Sequence, residues 1–239
     1  MVVNAVDYCD LKVFVIALYK AMEQGKNFMF RVAAAIVKVI GGISDQPLLT
    51  RKDMVVKETK NGGIIVVGSH TQKTTSQVEE LKKLKDLVFM EFDSDLVLDE
   101  AAFQKEIENT LKTEEELISS GKTVVVYTKR KLLVVENDTK EDALIRSVKI
   151  SDAVQSLVGK LKVTPAFVIA KGGITSSDVG TKALQVRKAN VLGQICPGIP
   201  VWQTGAESKF PMIPYIIFPG NVGEVTTLKE AVEILLNRK

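Results

Sequence analysis

The sequence predicts an α/β fold, a layered and mostly parallel sheet with helices on both faces and ligand loops at the carboxyl ends of the strands. Three observations lead there. Short β-branched runs such as Ile64-Ile65-Val66-Val67, bounded by Gly63 and Gly68, have the pattern of strands buried on both faces. From Gly63 onward such runs alternate with amphipathic helical segments. Three of the runs lead into loops of glycine and small hydroxyl or amide residues.

Residues 13–21 and 28–40 carry a helical apolar pattern, and Gly41-Gly42 followed by Ile43-Ser44-Asp45-Gln46-Pro47 reads as a helix stop and a turn. Residues 50–63 are polar and aperiodic and read as a connector between two bodies. The expected division is residues 1–55, a first body with its connector, and residues 56–239. In the second body, residues 64–67 are a strand. A helix follows with Ser76 and Glu79 at its start and Val78, Leu81 and Leu84 on one face. Residues 87–92 read as strand, 98–118 as a charged amphipathic helix, 123–127 as strand and 143–161 as helix. Residues 166–170, 189–195 and 215–218 supply further strands. The last helix has Thr227 and Glu230 as a capping box, Leu228, Ala231, Val232, Leu235 and Leu236 as its apolar face, and Arg238 and Lys239 at the negative end of its dipole.

The three loops share one grammar: Gly68-Ser69-His70-Thr71-Gln72-Lys73-Thr74-Thr75, Lys171-Gly172-Gly173-Ile174-Thr175-Ser176-Ser177-Asp178 and Pro219-Gly220-Asn221-Val222-Gly223. Ligands of open α/β sheets bind outside the carboxyl ends of the strands, so the three are expected on one rim. Glycines let backbone N–H groups approach an anion, a following helix adds positive dipole, and Ser or Thr hydroxyls add donors. Lys73 and Lys171 bring positive charge. The plainer reading of each loop is an ordinary βα turn, with Gly for positive φ and Ser or Thr as cap.

Other matches carry less. Gly121-Lys122-Thr123 resembles the end of a P-loop but precedes its strand, and reads as a helix C-cap. Asp93-Ser94-Asp95 is either a metal-binding pair or a solvated turn. His70, the single histidine, is a ligand contact, a cap or a core side chain. Trp202 is a core residue or an adenine stack. With Lys+Arg 32 against Asp+Glu 29 and 6% aromatics, the chain lacks the basic stripe and stacking platform of a nucleic-acid binder. No apolar run approaches the ~18–20 residues that cross a bilayer, and Asp7 and Asp10 stand where a secretory signal is basic. A cytoplasmic protein is expected, with Cys9 and Cys196 as buried thiols.

The stretches VVGSHTQKTTSQ, KGGITSSDVGTKAL, ANVLGQICPGIPVWQTGAESKFP and PYIIFPGNVGE resemble, in consistent order from Gly63 to the end, the C-terminal nucleotide-binding domain of the four-carbon acid sugar kinases. VVNAVDYCDLKVFVIAL and NFMFRVAAAIVKVIGGISDQPLL resemble the closing portion of that family's substrate domain. The family's opening Asp-Asp-Phe-Thr-Gly-Ala type motif has no match. Val32 stands where the family more often has Thr, and Met212 where a Gly commonly follows Phe-Pro.

The resemblance implies an ATP-dependent kinase that phosphorylates the terminal hydroxyl of an acid such as threonate, erythronate or a 3-oxo-tetronate. ATP and Mg²⁺ are the implied cofactors. Carried over by position, Ser69 contacts ATP in the first loop, Gly172, Gly173, Ile174 and Thr175 in the second, and Gly220 with Asn221 in the third. No Mg²⁺ ligand and no catalytic base is assigned. The base is expected in the part without a match, so the chain is expected to bind ATP and turn over poorly alone. Its partners are then ATP and a small sugar acid, with no nucleic acid or membrane, and either a second copy of the chain or a separate substrate domain. The alternative is a stand-alone nucleotide-binding or regulatory module, inactive without a separate substrate domain.

Overall fold

The computed structural model describes residues 2–237 of the chain, which forms two compact units, Met1–Pro47 and Leu48–Lys239. The first unit contains α1 (Tyr8–Glu23) and α2 (Ala34–Ile40). Asp7 caps α1, its carboxylate accepting from the N–H groups of Cys9 and Asp10 at 2.7 and 3.1 Å. Val15, Leu18 and Ile36 are buried, and the Tyr19 hydroxyl donates to the Ile40 carbonyl at 2.6 Å. The helix expected from residue 28 begins only at Ala34. Phe28 and Phe30 stack at 6.0 Å, and two aromatics with β-branched Val32 disfavour the helix that the apolar spacing suggested. Gly42, at φ +60, ends α2 as expected. Cys196 is buried, but Cys9 is exposed, because it faces outward on the first turn of α1.

The second unit is α3 (Arg51–Met54), β1 (Ile64–Val67), α4 (Gln72–Leu81), β2 (Leu87–Phe92), α5 (Glu100–Ser119), β3 (Thr123–Thr128), α6 (Lys140–Gly159), β4 (Val168–Lys171), α7 (Gly173–Asp178), β5 (Ala189–Cys196), β6 (Ile199–Thr204), β7 (Pro214–Phe218) and α8 (Thr227–Leu235). The strands form one sheet in the order β2-β3-β1-β4-β7-β6-β5. The first five in that order are parallel, and β6 and β5 are antiparallel additions at one edge.

Successive residues of each central strand face opposite layers. Ile64, Val66, Val124, Val126, Val168 and Ala170 join Phe103, Ile107, Val154 and Leu157 of α5 and α6 in one core. Ile65, Val67, Val125, Ile169, Ile216 and Phe218 join Val78, Leu81, Leu228 and Val232 of α4 and α8 in the other. The fold is therefore the α/β class read from the sequence, with helices on both faces. Each fully buried Ile or Val contributes roughly 1.5–3 kcal/mol, so the all-apolar strands are the main source of stability.

Several boundaries differ from expectation. The division after Pro47 precedes the expected join at 55/56, because residues 48–55 pack with the second unit: Leu49 N–H donates to the Gln194 carbonyl at 2.8 Å, and Met54 is fully buried. α3 lies inside the supposed connector, its first turn fixed by the Asp53 carboxylate, which accepts from both Thr50 N–H and Thr50 Oγ1 at 2.7 Å. α4 starts earlier than Ser76, because Thr71 Oγ1 caps it by accepting from Thr74 N–H. α8 is preceded by Thr226 rather than capped by Thr227, whose hydroxyl instead accepts from Glu224 N–H at 2.8 Å. Gly121, at φ +85 just past α5, is the C-terminal stop expected of it. Arg238 and Lys239 lie outside the described residues.

Two side chains in this unit oppose its stability. Glu114 of α5 is fully buried, and neither carboxylate oxygen has a hydrogen-bond partner among the described residues. Burial, with Glu115 adding like charge, pushes its carboxyl well above the usual value. The folded state thus holds a proton that the unfolded chain releases near pH 4.5. Stability from this group is greatest below that pH and falls as pH rises toward the folded value. Glu114→Leu should raise stability at pH 7.5 by about 1–3 kcal/mol and Glu114→Gln should flatten the decline above pH 5, both measured by urea unfolding. Met212 lies at φ +63, a region that favours glycine, at the position where the sugar-acid kinases commonly carry Gly. Met212→Gly should stabilise by about 1 kcal/mol in the same assay.

Candidate functional site

The site begins with strand register. Val67, Lys171 and Phe218 stand side by side at the ends of β1, β4 and β7. The next residues continue the ladder: Gly68 N–H donates to Lys171 O at 3.2 Å and Gly172 N–H to Phe218 O at 2.9 Å. The three loops therefore leave the sheet together, on one rim.

Their approach leaves no room for a Cβ at Gly68 and little at the other two glycines. A Cβ on Gly68 would lie 2.3 Å from Thr175 Oγ1, one on Gly172 would lie 3.2 Å from Ser69 Cβ, and one on Gly220 would lie 3.2 Å from Ser69 Oγ. Gly172 also adopts φ +126. Gly173 differs: it is exposed, with no heavy atom within 4 Å of a built Cβ, so its face is open.

The Gly220 carbonyl ties the loops together. It accepts from Thr71 Oγ1 at 3.3 Å, Thr74 Oγ1 at 3.2 Å and Lys171 Nζ at 3.2 Å. Lys171 Nζ also donates to Pro219 O at 2.6 Å. The peptides among the described residues are trans, so a carbonyl drawn inward turns the N–H of the same peptide outward. The Gly220 and Asn221 N–H groups are thereby turned away from Lys171, toward the rim. Thr74 Oγ1 also lies 3.1 Å from Ser69 Oγ, and the Arg130 guanidinium, just past β3, donates to the Ser69 carbonyl and to Thr75 Oγ1. Gln77 Nε2 and Lys73 Nζ hold the third loop from α4, through the carbonyls of Val222, Glu224 and Gly223 at 3.2, 2.8 and 3.2 Å.

Lys171 is 0% exposed and its ammonium lies 4.4 Å over the Phe218 ring. Burial, with Lys73 nearby, pushes its pKa down to about 8. Burial and the neighbouring Arg130 likewise hold the His70 imidazole below its usual value.

Of the residues expected from sequence, Ser69, Gly172, Thr175 and Gly220 pack together, Gly173 borders them with its open face, Asn221 is exposed on the third loop, and Ile174 is 74% exposed beside them. Thr71, Thr74 and Arg130 were not anticipated as parts of the site. Thr71 and Thr74 sat in the quoted loop, and their spacing of three is the one signal that a hydroxyl cap was present. The other candidates resolve into structural roles. Asp93 and Asp95 pair with Lys129 at 2.6 and 3.1 Å, and among the described residues no group of three His, Cys, Asp or Glu is placed to hold a metal ion. His70 Nε2 lies 3.3 Å from Thr128 Oγ1. Trp202 packs edge-on to Tyr215 at 6.3 Å, against the core. No helix among the described residues is long and apolar enough to cross a membrane.

Residues 64–228, more than half of the chain, match the family model of a nucleotide-binding C-terminal domain. Among solved structures, the fold is similar to a Haemophilus influenzae protein of family-model DUF1537, with TM-score 0.61 and 20% identity over 97% of this chain and 52% of that one. It is similar to a DUF1537 domain from Bordetella bronchiseptica, solved as a domain-swapped dimer with bound citrate, with TM-score 0.59 and 15% identity over 97% of this chain and 52% of that one. A Salmonella typhimurium LT2 protein provisionally named a tRNA synthase gives TM-score 0.59 and 16% identity, over 95% and 51%. The chain thus spans about half the length of these structures. No curated protein matches it by sequence.

The buried lysine predicts a pH dependence for any anion held at this rim. A polyphosphate favours the charged form of Lys171, which the free protein loses as pH rises through about 8. Affinity for tripolyphosphate should be highest below that pH and decline above it, by at most about tenfold per pH unit. Calorimetry in buffers of different ionisation enthalpy should record proton uptake on binding at pH 8.5. Lys171→Met should abolish both the uptake and the pH dependence.

Proposed function

The chain belongs to the nucleotide-binding C-terminal domain family that its motifs resemble, and we propose that it binds ATP on the three-loop rim, as the nucleotide half of a kinase acting on a four-carbon sugar acid. The observation that carries this reading is the convergence of Ser69, Gly172 and Gly220, whose loops approach within a few ångström of one another and turn the Gly220 and Asn221 N–H groups away from the inward carbonyls.

In this reading the second loop cradles phosphate through its backbone from Gly173 onward, with Gly172, its own N–H held by Phe218 O, allowing the close approach, and Ile174 and Thr175 completing the loop. Gly220 and Asn221 present outward N–H groups from the third loop, and the Ser69 hydroxyl faces them from the first. Lys171 and Lys73 contribute positive charge behind the loops. Mg²⁺ bound with the nucleotide would supply charge neutralisation for phosphoryl transfer. Ser69 and Thr175 are the side chains whose hydroxyls would hold its water shell.

Phosphoryl transfer also needs an acceptor hydroxyl held in line with the γ-phosphate, together with a base to take its proton. Neither role is assigned to a residue of the rim. The threonate, erythronate or 3-oxo-tetronate acceptor is therefore placed on a substrate-binding body facing the rim. A fast tetronate kinase activity of the 239-residue chain by itself would contradict this division.

The nucleotide assignment is tested at Gly173. A Cβ there has open space and the residue is exposed, so Gly173→Leu should leave the thermal midpoint nearly unchanged. It should weaken Mg-ATP binding by tenfold or more in calorimetry. Unchanged affinity, or no ATP binding by the parent chain, would show the assignment to be wrong.

A further inference from the structure

We infer that the groove between the β3–α6 loop and α6 seats the adenine and ribose of the nucleotide whose phosphates the three loops hold, an inference that rests on the reading above. The groove has a volume of about 560 Å³, within the usual ~300–1,000 Å³ of small-molecule sites. Its walls include Gly68 and Thr175, which also form the phosphate rim. The groove therefore adjoins the rim.

The lining is of the right kind for a purine nucleoside. Leu132, Leu133 and Val134 on the loop face Ile150 and Val154 of α6, with Ile174 beside the rim. Leu132, Val134 and Ile174 are 64%, 83% and 74% exposed, an apolar surface that the cores leave uncovered. A flat aromatic base buries such side chains on both of its faces. At the polar end, Arg146 forms an ion pair with Asp138, both largely shielded at 14% and 17% exposure, and Ser147 adds a hydroxyl. These are groups suited to ribose hydroxyls or the edge of a base.

The alternative small-molecule occupant is the sugar acid itself. A four-carbon polyhydroxy carboxylate offers no apolar face, and a groove walled by leucine, isoleucine and valine would strip water from it without replacement. The chemistry of the walls thus separates the two ligands.

Ser147 lies on an exposed part of α6 and lines the groove, so Ser147→Trp fills it without disturbing the core. Leu133→Asp, on the loop, removes its apolar character by a different route. Binding of Mg-ATP and of inorganic tripolyphosphate to the full chain is measured by calorimetry, with thermal unfolding as the check on folding. The expected result is a loss of ATP affinity of tenfold or more in both variants, with tripolyphosphate affinity held within twofold. Undiminished ATP binding in the folded variants, or equal losses for both ligands, overturns the groove while leaving the phosphate rim intact. Tripolyphosphate binding without ATP binding by the parent chain overturns the nucleotide reading and the groove together.

Discussion

The arrangement of the rim depends on one constraint, the parallel pairing of β1, β4 and β7 with Val67, Lys171 and Phe218 in a single register row. Parallel neighbours cannot be joined by hairpins, so each connection crosses over a face of the sheet and returns to the same end. The crossovers bury both faces, which is why β1 and β4 carry no exposed residue. They also deliver three strand ends to one place. Had β4 slipped by a residue against β1, the Gly68 N–H to Lys171 O bond would be lost, and Gly172 would no longer stand against Ser69.

Lys171 links this scaffold to the loops. A lysine in a fully buried row is costly, since desolvation opposes its charge, and two backbone carbonyls with an aromatic face offset only part of that cost. What the arrangement supplies is orientation. A neutral residue would leave the Pro219 and Gly220 carbonyls free to face the rim, where they would repel an anion. With the ammonium below them they turn inward, helped by Thr71 and Thr74, and the N–H groups of the same peptides turn out.

Legibility in the sequence followed the strength of local constraint. The central strands were readable because burial on both faces admits only apolar residues, and Ile64–Val67 was found to the residue. β6 was missed, since Pro200 argues against a strand; the structure tolerates it opposite Gln194, where the ladder shifts register. The β5–β6 hairpin at the sheet edge was hidden for the same reason. Helix starts were misplaced where more than one hydroxyl residue stood near the boundary: Thr71 caps α4 although Ser76 has a glutamate three residues on, and Thr227, which also has one, accepts from Glu224 N–H while Thr226 Oγ1 donates to Glu230 Oε1 at 2.8 Å. Hydroxyl side chains of this kind have several nearby backbone and side-chain partners, and sequence spacing alone does not choose among them.

The same logic separates the two ends of the nucleotide. Phosphate is met mainly by backbone, and backbone can approach an anion only where Cβ is absent, so Gly68, Gly172 and Gly220 mark the sequence wherever the loops close on one another. A base and sugar are met by side chains that any core also uses, and no periodicity distinguishes them. Residues 132–135 are apolar yet belong to neither strand nor helix, between the charged pair Arg130-Lys131 and the polar run Glu136-Asn137-Asp138. This run joins no regular element and stays in part outside the two cores, with Leu132 and Val134 exposed. In this chain it lines a groove that also reaches Gly68 and Thr175 of the rim.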